Sequence, residues 1–226
     1  MNSSSKSEIF NRIVESELVD QSTLPRQETS EEIFIWERLL QGSDEALAEL
    51  YEKYANKLFN YGSQITTDRD LAFDIVQDVF LTLVSTKSQL SPIRSVKNYL
   101  FSSYRRRLLR QLKRNRKIKY ESNYERQDGF LVTFEEDYYS ISTPLTVDSR
   151  KLIENACNQL PIRQREVINF YFFEQLSYKE IAEIMDMSQV RSARNLLYKA
   201  LKSLSISLKH NKELLRLLPL LLLLKN

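Results

Sequence analysis

The sequence predicts an all-α fold of two small helical domains joined by an acidic flexible linker. Only three glycines and five prolines occur among 226 residues, too few for the many tight turns of a β-rich chain. Apolar residues recur at spacings of three and four through several segments, as in amphipathic helices. The charge also changes sign abruptly. Residues 105–119 hold nine basic residues and no acidic one, whereas residues 120–148 hold seven acidic residues and one arginine.

These changes in composition divide the chain into five parts. We expect a disordered polar tail over 1–29, a helical domain over 30–114, the linker over 115–148, a second helical domain over 149–205 and a leucine-rich tail over 206–226. A structureless connection of this length is typical of functional or disordered segments. The last tail is shorter than the about 20 apolar residues that cross a bilayer, so no membrane span is expected. Without other partners, the two domains should be held together only by the linker.

Local signals place four helices in the first domain. Thr29 or Ser30 caps the first helix, which Gly42 ends, and Ser43 caps the second over 44–65. Thr67 caps the third over 68–85, and the fourth begins near Ser95 and runs through the basic block.

The third helix has two different faces. Its core face combines Leu71, Ile75, Val79 and Leu83 with Ala72, Val76 and Phe80. Its other face combines Asp74, Gln77, Asp78 and Leu81. Carboxylates four residues apart can bind a metal or act as acid–base groups, but no further groups complete such a site. We therefore expect no metal, no cofactor and no catalytic residue, and this face is either solvated or receives a partner.

The fourth helix has the composition of a nucleic-acid surface. Tyr99, Phe101 and Tyr104 lie among polar residues and arginines. Aromatic rings can stack on unpaired bases while Lys and Arg follow the phosphates. Aromatics at helical spacing are more often core residues, and we expect at least one of Tyr99, Leu100 and Tyr104 to be buried.

The second domain contains a helix-turn-helix pattern. Ser177 and Glu180 form a capping box that opens a short helix through Met185, and residues 186–188 form the turn. The next helix has one buried stripe, formed by Val190, Ala193, Leu197, Leu201 and Leu204, and one exposed stripe, formed by Ser188, Arg191, Asn195, Lys199 and Lys202. Arg and Asn can pair bidentately with guanine and adenine in the major groove. The alternative is an ordinary amphipathic helix pair.

Three segments in order resemble a bacterial extracytoplasmic-function (ECF) sigma factor, the two-domain minimal class of the housekeeping sigma family. DLAFDIVQDVFLTLV resembles the family's core-binding helix. SVKNYLFSSYRRRLLRQLKR resembles the helix that melts and reads the minus-10 element. LPIRQREVINFYFFEQLSYKEIAEIMDMS with QVRSARNLLYKAL resembles the domain that reads the minus-35 element. The resemblance covers residues 31–205.

The resemblance implies an alternative sigma factor that is not an enzyme. It would bind core RNA polymerase, at the clamp helices of the largest subunit and the flap of the second-largest, and would read and melt promoter DNA. The core-binding residues would be Asp74, Gln77, Asp78 and Leu81. Those for the minus-10 element would be Asn98, Tyr99, Phe101, Ser102, Arg105, Arg106, Arg107 and Arg110. Those for the minus-35 element would be Arg163, Arg165, Lys179, Ser188, Gln189, Arg191, Ser192, Arg194, Asn195 and Lys199.

Some residues depart from the family pattern. Tyr99 stands where most relatives have Trp, Tyr104 to Arg106 where they have Ala-Arg-Asn, Arg110 where they have Asp, and Ser192 where a β-branched apolar residue is common. The first three departures lie in the minus-10 helix.

Two other classes of function stay open at this point. A free-standing helix-turn-helix regulator would need a ligand or phosphoacceptor domain at its N-terminus. A nucleic-acid enzyme would use Asp74 and Asp78 with a metal. The absence of a signal-peptide pattern and the single Cys157 favour a reducing cytoplasm, with the protein on the nucleoid. An anti-sigma factor or another recruiting protein is a further expected partner.

Overall fold

A computed structural model describes residues 30–120, 152 and 155–208 of the chain. The N-terminal tail, most of the acidic linker and nearly all of the leucine-rich tail, as predicted from the sequence, lie outside the described residues. Every regular element within these ranges is helical, which confirms the all-α fold. Across them, no helix combines the length and the apolarity needed to span a membrane.

Four helices form the first half of the structure: α1 (Ser30–Leu40), α2 (Asp44–Ser63), α3 (Arg69–Thr86) and α4 (Val96–Tyr120). The helix end predicted at Gly42 and the cap predicted at Ser43 are confirmed, because Gly42 has a φ of 95° and the Ser43 side chain accepts a hydrogen bond from the Ala46 N–H. Of the two caps predicted for the first helix, Ser30 is instead its first residue and Thr29 lies outside the described residues. The cap predicted at Thr67 is wrong. Asp68 caps α3, since its carboxylate accepts the Leu71 N–H at 2.9 Å.

The core of this half is built where the apolar periodicity predicted it. Ile75, Val79 and Leu83 of α3 are buried, and Leu71 is partly buried. Leu100 and Tyr104 of α4 are both fully buried, which confirms the expectation for this helix. The helix α4 continues to Tyr120, beyond residue 114 where the sequence placed the domain boundary.

The second half contains α5 (Ile162–Ile168), a wide helical turn (Asn169–Phe173), α6 (Tyr178–Ile184) and α7 (Val190–Ser207). The capping box is confirmed, with the Ser177 N–H donating to Glu180 at 2.7 Å and the Glu180 N–H donating to Ser177 at 3.3 Å. The backbone reverses at Asp186, which has a φ of 51°. The prediction that Val190 is buried is wrong. It is the first residue of α7 and 48% exposed, because the buried stripe starts one turn later at Ala193.

The two halves pack directly on each other around one continuous core. The Phe170 ring of the second half lies 4.8 Å from the ring centroid of Tyr61 and 5.9 Å from that of Phe101. The expectation that only the linker holds the halves together is therefore wrong for this structure. The physical reason is that aromatic residues from both halves exclude water from a shared surface.

Candidate nucleic-acid and polymerase interfaces

The outer face of α7 is a continuous polar surface. Ala193, Leu197, Leu201 and Leu204 are buried against the rest of the second half. The exposed side chains include Lys202 of the predicted exposed stripe and all seven of the predicted minus-35 contacts in and before this helix: Ser188, Gln189, Arg191, Ser192, Arg194, Asn195 and Lys199. Hydrogen-bonding and cationic groups therefore alternate along one accessible side of a helix, which is the arrangement that reads base edges and phosphates.

Three basic residues outside α7 were also assigned to DNA. Arg163 of α5 and Lys179 of α6 are exposed, as phosphate contacts require. Arg165 differs, because it is only 8% exposed and its Nη1 donates to the Asn158 carbonyl at 3.3 Å. Burial lowers the pKa of Arg165 to about 10. The structure thus places Arg165 inside the second half, away from the phosphate-binding surface assigned to it.

The predicted core-binding surface is an exposed mixture of acidic and apolar side chains. Asp74, Gln77, Asp78 and Leu81 are all exposed, with Leu81 at 66%. Val84, which the sequence interpretation missed, extends this surface as a second exposed apolar residue. The sequence could have identified Val84, because it follows Leu81 by three residues and therefore lies on the same side of α3.

An arginine of the minus-10 set lies beside this surface. Arg107 Nε is 3.5 Å from Asp78 Oδ2, and Arg107 Nη2 donates to the Thr82 hydroxyl at 2.9 Å. Residues that were assigned to different partners, polymerase and DNA, are therefore neighbours across α3 and α4.

The helix α4 presents a basic outer face. Arg106 and Arg110 are exposed, and Lys113 and Arg114 continue the charge beyond them. Ser102 and Tyr99 are partly buried, and the Tyr99 ring packs 5.0 Å from the ring of Trp36. Exposed cations without acidic neighbours on the same face are suited to a phosphate backbone.

The inner face of α4 is covered by the second half of the chain. Phe101 is fully buried and Arg105 is 6% exposed, so neither lies on the open surface that DNA contacts require. Arg105 Nε donates to Glu166 Oε1 at 2.8 Å and its Nη2 donates to Oε2 at 3.4 Å. The Tyr61 hydroxyl donates to the same Oε1 at 2.7 Å. One buried carboxylate of α5 thus binds two groups of the first half.

The electrostatics of this cluster agree with its geometry. Burial lowers the pKa of Arg105, but the hydrogen bond and charge of Glu166 outweigh it, so the net pKa is raised. Burial, followed by the charge of Glu166, raises the pKa of Tyr61 well above its usual range. The phenol therefore stays protonated as a donor, and the guanidinium stays charged.

Four further polar contacts surround this cluster. Arg105 Nη1 lies 3.8 Å from Asp186 Oδ2. Lys97 Nζ lies 2.9 Å from Glu174 Oε2 and also donates to the Glu174 carbonyl. Asn98 Nδ2 donates to Glu183 Oε2 at 3.1 Å. The Asn169 amide donates to Gln64. The sequence interpretation found none of these partnerships, because 77 to 105 positions separate the members of each pair and no local pattern connects them.

Within the described residues, no group of three or more His, Cys, Asp or Glu side chains could hold a metal ion. Asp74 and Asp78 lie on α3 with Arg107 beside the second of them, so a cation already neighbours this pair.

Comparisons with known families match both halves of the chain. Sigma-70 region 2 matches residues 50–118, and Sigma-70, region 4 matches residues 150–204. The two regions together span more than half of the chain, in the order found in sigma factors. The chain belongs to the ECF class of the sigma-70 family.

Two relatives of the chain are RNA polymerase sigma factors. The chain is 24% identical to the ECF RNA polymerase sigma factor SigM of Bacillus subtilis over 159 residues, which is 67% of this chain and 88% of SigM. It is 27% identical to the RNA polymerase sigma factor SigV of the same organism over 141 residues, which is 62% of this chain and 78% of SigV.

Two solved structures share the fold. One is CnrH in complex with the cytosolic domain of CnrY, with a TM-score of 0.53 and 18% identity over 80% of this chain and 98% of that one. The other is the sigma factor RpoE in complex with the anti-sigma factor NepR from Bartonella quintana, with a TM-score of 0.57 and 19% identity over 73% and 97%.

The protein is an alternative sigma factor, which gives core RNA polymerase its promoter specificity and promotes promoter melting. The expected relation to a housekeeping sigma family is wrong, because the chain belongs to the alternative ECF class of the sigma-70 family. A free-standing helix-turn-helix regulator is not supported, since region 2 occupies the part of the chain where that hypothesis needed a ligand or phosphoacceptor domain.

Proposed function

We propose that this sigma factor divides its three tasks among α3, α4 and α7. The observation that carries the proposal is that each helix exposes a different surface, suited to one partner. The surface of α3 is acidic and apolar, that of α4 is basic, and that of α7 alternates cations with amides and hydroxyls.

The face of α3 formed by Asp74, Gln77, Asp78 and Leu81 docks on the clamp helices of the largest polymerase subunit. Exposed Leu81 and Val84 supply apolar area for this contact. The acidic groups supply orientation, because charges at the rim of an interface fix register more than they add affinity. The flap of the second-largest subunit receives the second half of the chain.

The helix α7 enters the major groove at the minus-35 element. Ser188, Gln189, Arg191, Ser192 and Asn195 are the base-reading candidates on its exposed face. The cations Arg163, Lys179, Arg194, Lys199 and Lys202 contact phosphates, which positions the helix without specifying sequence. Arg165 is left out of this set because it is buried.

The helix α4 meets the minus-10 element after the strands separate. Arg106 and Arg110 on its outer face follow the phosphates of an unpaired strand. Asn98, Tyr99 and Ser102, which are partly buried, lie toward the start of the same helix and contact the bases. Holding an extruded base away from the duplex offsets the few kcal/mol that unstacking costs.

We extend the proposal to location and control. The protein acts in the cytoplasm on the nucleoid, where polymerase and promoters are, and performs no catalysis of its own. An anti-sigma factor or another recruiting protein binds it, as NepR binds the structurally similar RpoE.

The test combines the purified chain with core polymerase on a cognate promoter and measures permanganate reactivity of thymines near the start site. We expect reactivity only when both proteins are present. Asp74→Lys should abolish it and also abolish co-purification with polymerase, because the reversal places a cation in the acidic surface. Glu37→Lys, an exposed change on α1, is the matched control and should leave both measurements unchanged. Opening without polymerase, or normal polymerase binding by Asp74→Lys, would contradict the proposal.

A further inference from the structure

An apolar groove runs between α2 and α3 on the outside of the first half. The rings of Phe59 and Phe73 meet edge to face, with 6.4 Å between their centroids. The rings of Tyr51 and Phe80 meet in the same way at 4.9 Å. The earlier residue of α2 thus faces the later residue of α3, so the two helices are antiparallel here. The four rings therefore lie along one line between the helices.

This α2–α3 groove is open to solvent. Tyr51 is 39% exposed, Phe73 is 45% exposed and Val84 is 42% exposed, and Ala48 is also exposed. Ala48 and Val84 each lie about one helical turn beyond the last ring contact, so they continue the same line. The line covers about 16 Å along α2. Adjacent exposed apolar side chains of this kind mark an interaction site.

Acidic side chains flank the long edges of the groove. Glu52 on α2 and Asp70 and Asp74 on α3 are all exposed. Basic side chains lie at the two ends. At one end Arg69 lies 5.0 Å from the centroid of a groove ring, and at the other Lys87 forms an ion pair with the first residue of α2. An occupant that fits this groove therefore combines apolar side chains with basic ones.

The C-terminal part of the sequence has this composition. Residues 214–224 include nine leucines, and residues 209–226 include four basic residues and one acidic residue. The described part of the chain ends at Leu208, and 18 residues follow it. Eleven residues are enough to cover a groove about 16 Å long. So many adjacent leucines would promote association if water surrounded them.

We propose that the leucine-rich segment 214–224 docks in the α2–α3 groove of the same chain. Its leucines cover Tyr51, Phe73 and Val84, and the basic residues in and beside it neutralise the carboxylates along the edges. Docking removes two apolar surfaces from water at once. Because the segment is covalently attached, it binds at a high effective concentration, and contacts of modest strength are sufficient.

The test locates the segment in the full chain and needs neither polymerase nor DNA, so its outcome is independent of the proposed function. The photoreactive residue p-benzoylphenylalanine replaces Leu222, and mass spectrometry of the irradiated, digested protein identifies the attachment site. We expect attachment to residues 48–59 or 73–84. A mixture of isotope-labelled and unlabelled protein distinguishes attachment within one chain from attachment between two. Attachment only to the second half, or only between two copies, would contradict the proposal.

Matched variants test the groove itself. Phe73→Glu places a charge in the groove, so it should lose most of the attachment and increase light scattering, because the leucines become exposed. Phe34→Glu is the matched control, since Phe34 is 58% exposed on α1 outside the groove. It should keep the attachment. If Phe73→Glu loses helical circular dichroism, Val84→Glu replaces it. A folded groove variant that retains the attachment as well as Phe34→Glu does would disprove the docking.

A charge reversal in the segment tests the acidic edges. Arg216→Glu should reduce the attachment, because the carboxylates of Glu52, Asp70 and Asp74 repel the new charge. Added salt should partly restore it by screening this repulsion. An attachment that Arg216→Glu leaves unchanged would contradict the charge complementarity on which the choice of occupant rests.

Discussion

Gly62, in the last turn of α2, lies directly beneath the ring of Tyr104. A Cβ at this position would lie 1.7 Å from the Tyr104 hydroxyl oxygen and 2.7 Å from its Cζ. The ring is fully buried, and its hydroxyl donates to the Ala72 carbonyl at 3.0 Å. Tyr104 therefore cannot move aside without losing this hydrogen bond or disturbing the core. We predict that Gly62→Ala destabilises the protein.

The expected loss of stability combines two destabilising effects with one stabilising effect. Overpacking a buried site costs about 1–3 kcal/mol, and leaving the buried Tyr104 hydroxyl without its acceptor costs about 1–3 kcal/mol. Alanine is a better helix former than glycine by about 1 kcal/mol, which offsets part of the loss. The free energy of unfolding should therefore fall by about 1–5 kcal/mol. The intrinsic preference of the helix is outweighed because the clash involves a rigid aromatic ring.

Urea unfolding followed by circular dichroism at 222 nm measures this loss. Tyr104→Phe removes the oxygen that lies closest to the new Cβ, so the double variant should lose less stability than the sum of the two single variants. Gly42→Ala is the control, because no atom lies within 4 Å of its Cβ and the cost comes from its φ of 95°. The stability losses of Gly42→Ala and Tyr104→Phe should therefore be additive in the double variant. Equal stability of Gly62→Ala and wild type, or strict additivity with Tyr104→Phe, would refute the reasoning.

Two further predictions concern the second half. Asn195→Ala should cost about 1–3 kcal/mol on the preferred minus-35 sequence and relax base choice there, whereas Lys199→Ala should weaken all sequences alike and reduce the salt dependence. Binding measured by holoenzyme at several salt concentrations distinguishes them, and an equal loss on every sequence for Asn195→Ala would show that it is no base reader. Ser177→Ala should lower the free energy of unfolding by about 1 kcal/mol, because alanine lacks the hydroxyl that accepts from the Glu180 N–H and donates to the Glu180 carboxylate. An unchanged unfolding midpoint would argue against this role.

Local features of the fold were predictable because their causes lie within a few residues. The capping box at Ser177 and Glu180 and the exposed acidic face of α3 follow from spacings of three and four, and the helix end at Gly42 follows from the positive φ that glycine adopts. The cap of α3 was missed by one residue, since Thr67 and Asp68 are both good caps and only the geometry of the turn selects Asp68. Local spacing identifies a helix and its faces, but it does not decide which of two adjacent residues caps the helix.

The burial of Arg105 could not be predicted from local spacing, because its cause lies far away in the chain. Arg105 stands in a run of nine cations, and its composition alone places it with Arg106 and Arg107. Only the approach of Glu166, 61 positions later, distinguishes it. Arg163 and Arg165 both lie on α5, where Arg163 is exposed and Arg165 is buried with its Nη1 donating to the Asn158 carbonyl.

The helical period of α4 explains why neighbouring arginines of one basic run differ in exposure. Residues of α4 that are four apart share a face, so Phe101 and Arg105 point together toward region 4, whereas Arg106 and Arg110 point together toward solvent. The outer pair stays available for phosphates while the inner pair is covered. Because the helical period fixes both faces, the contact with Glu166 covers Arg105 and leaves the outer arginines exposed.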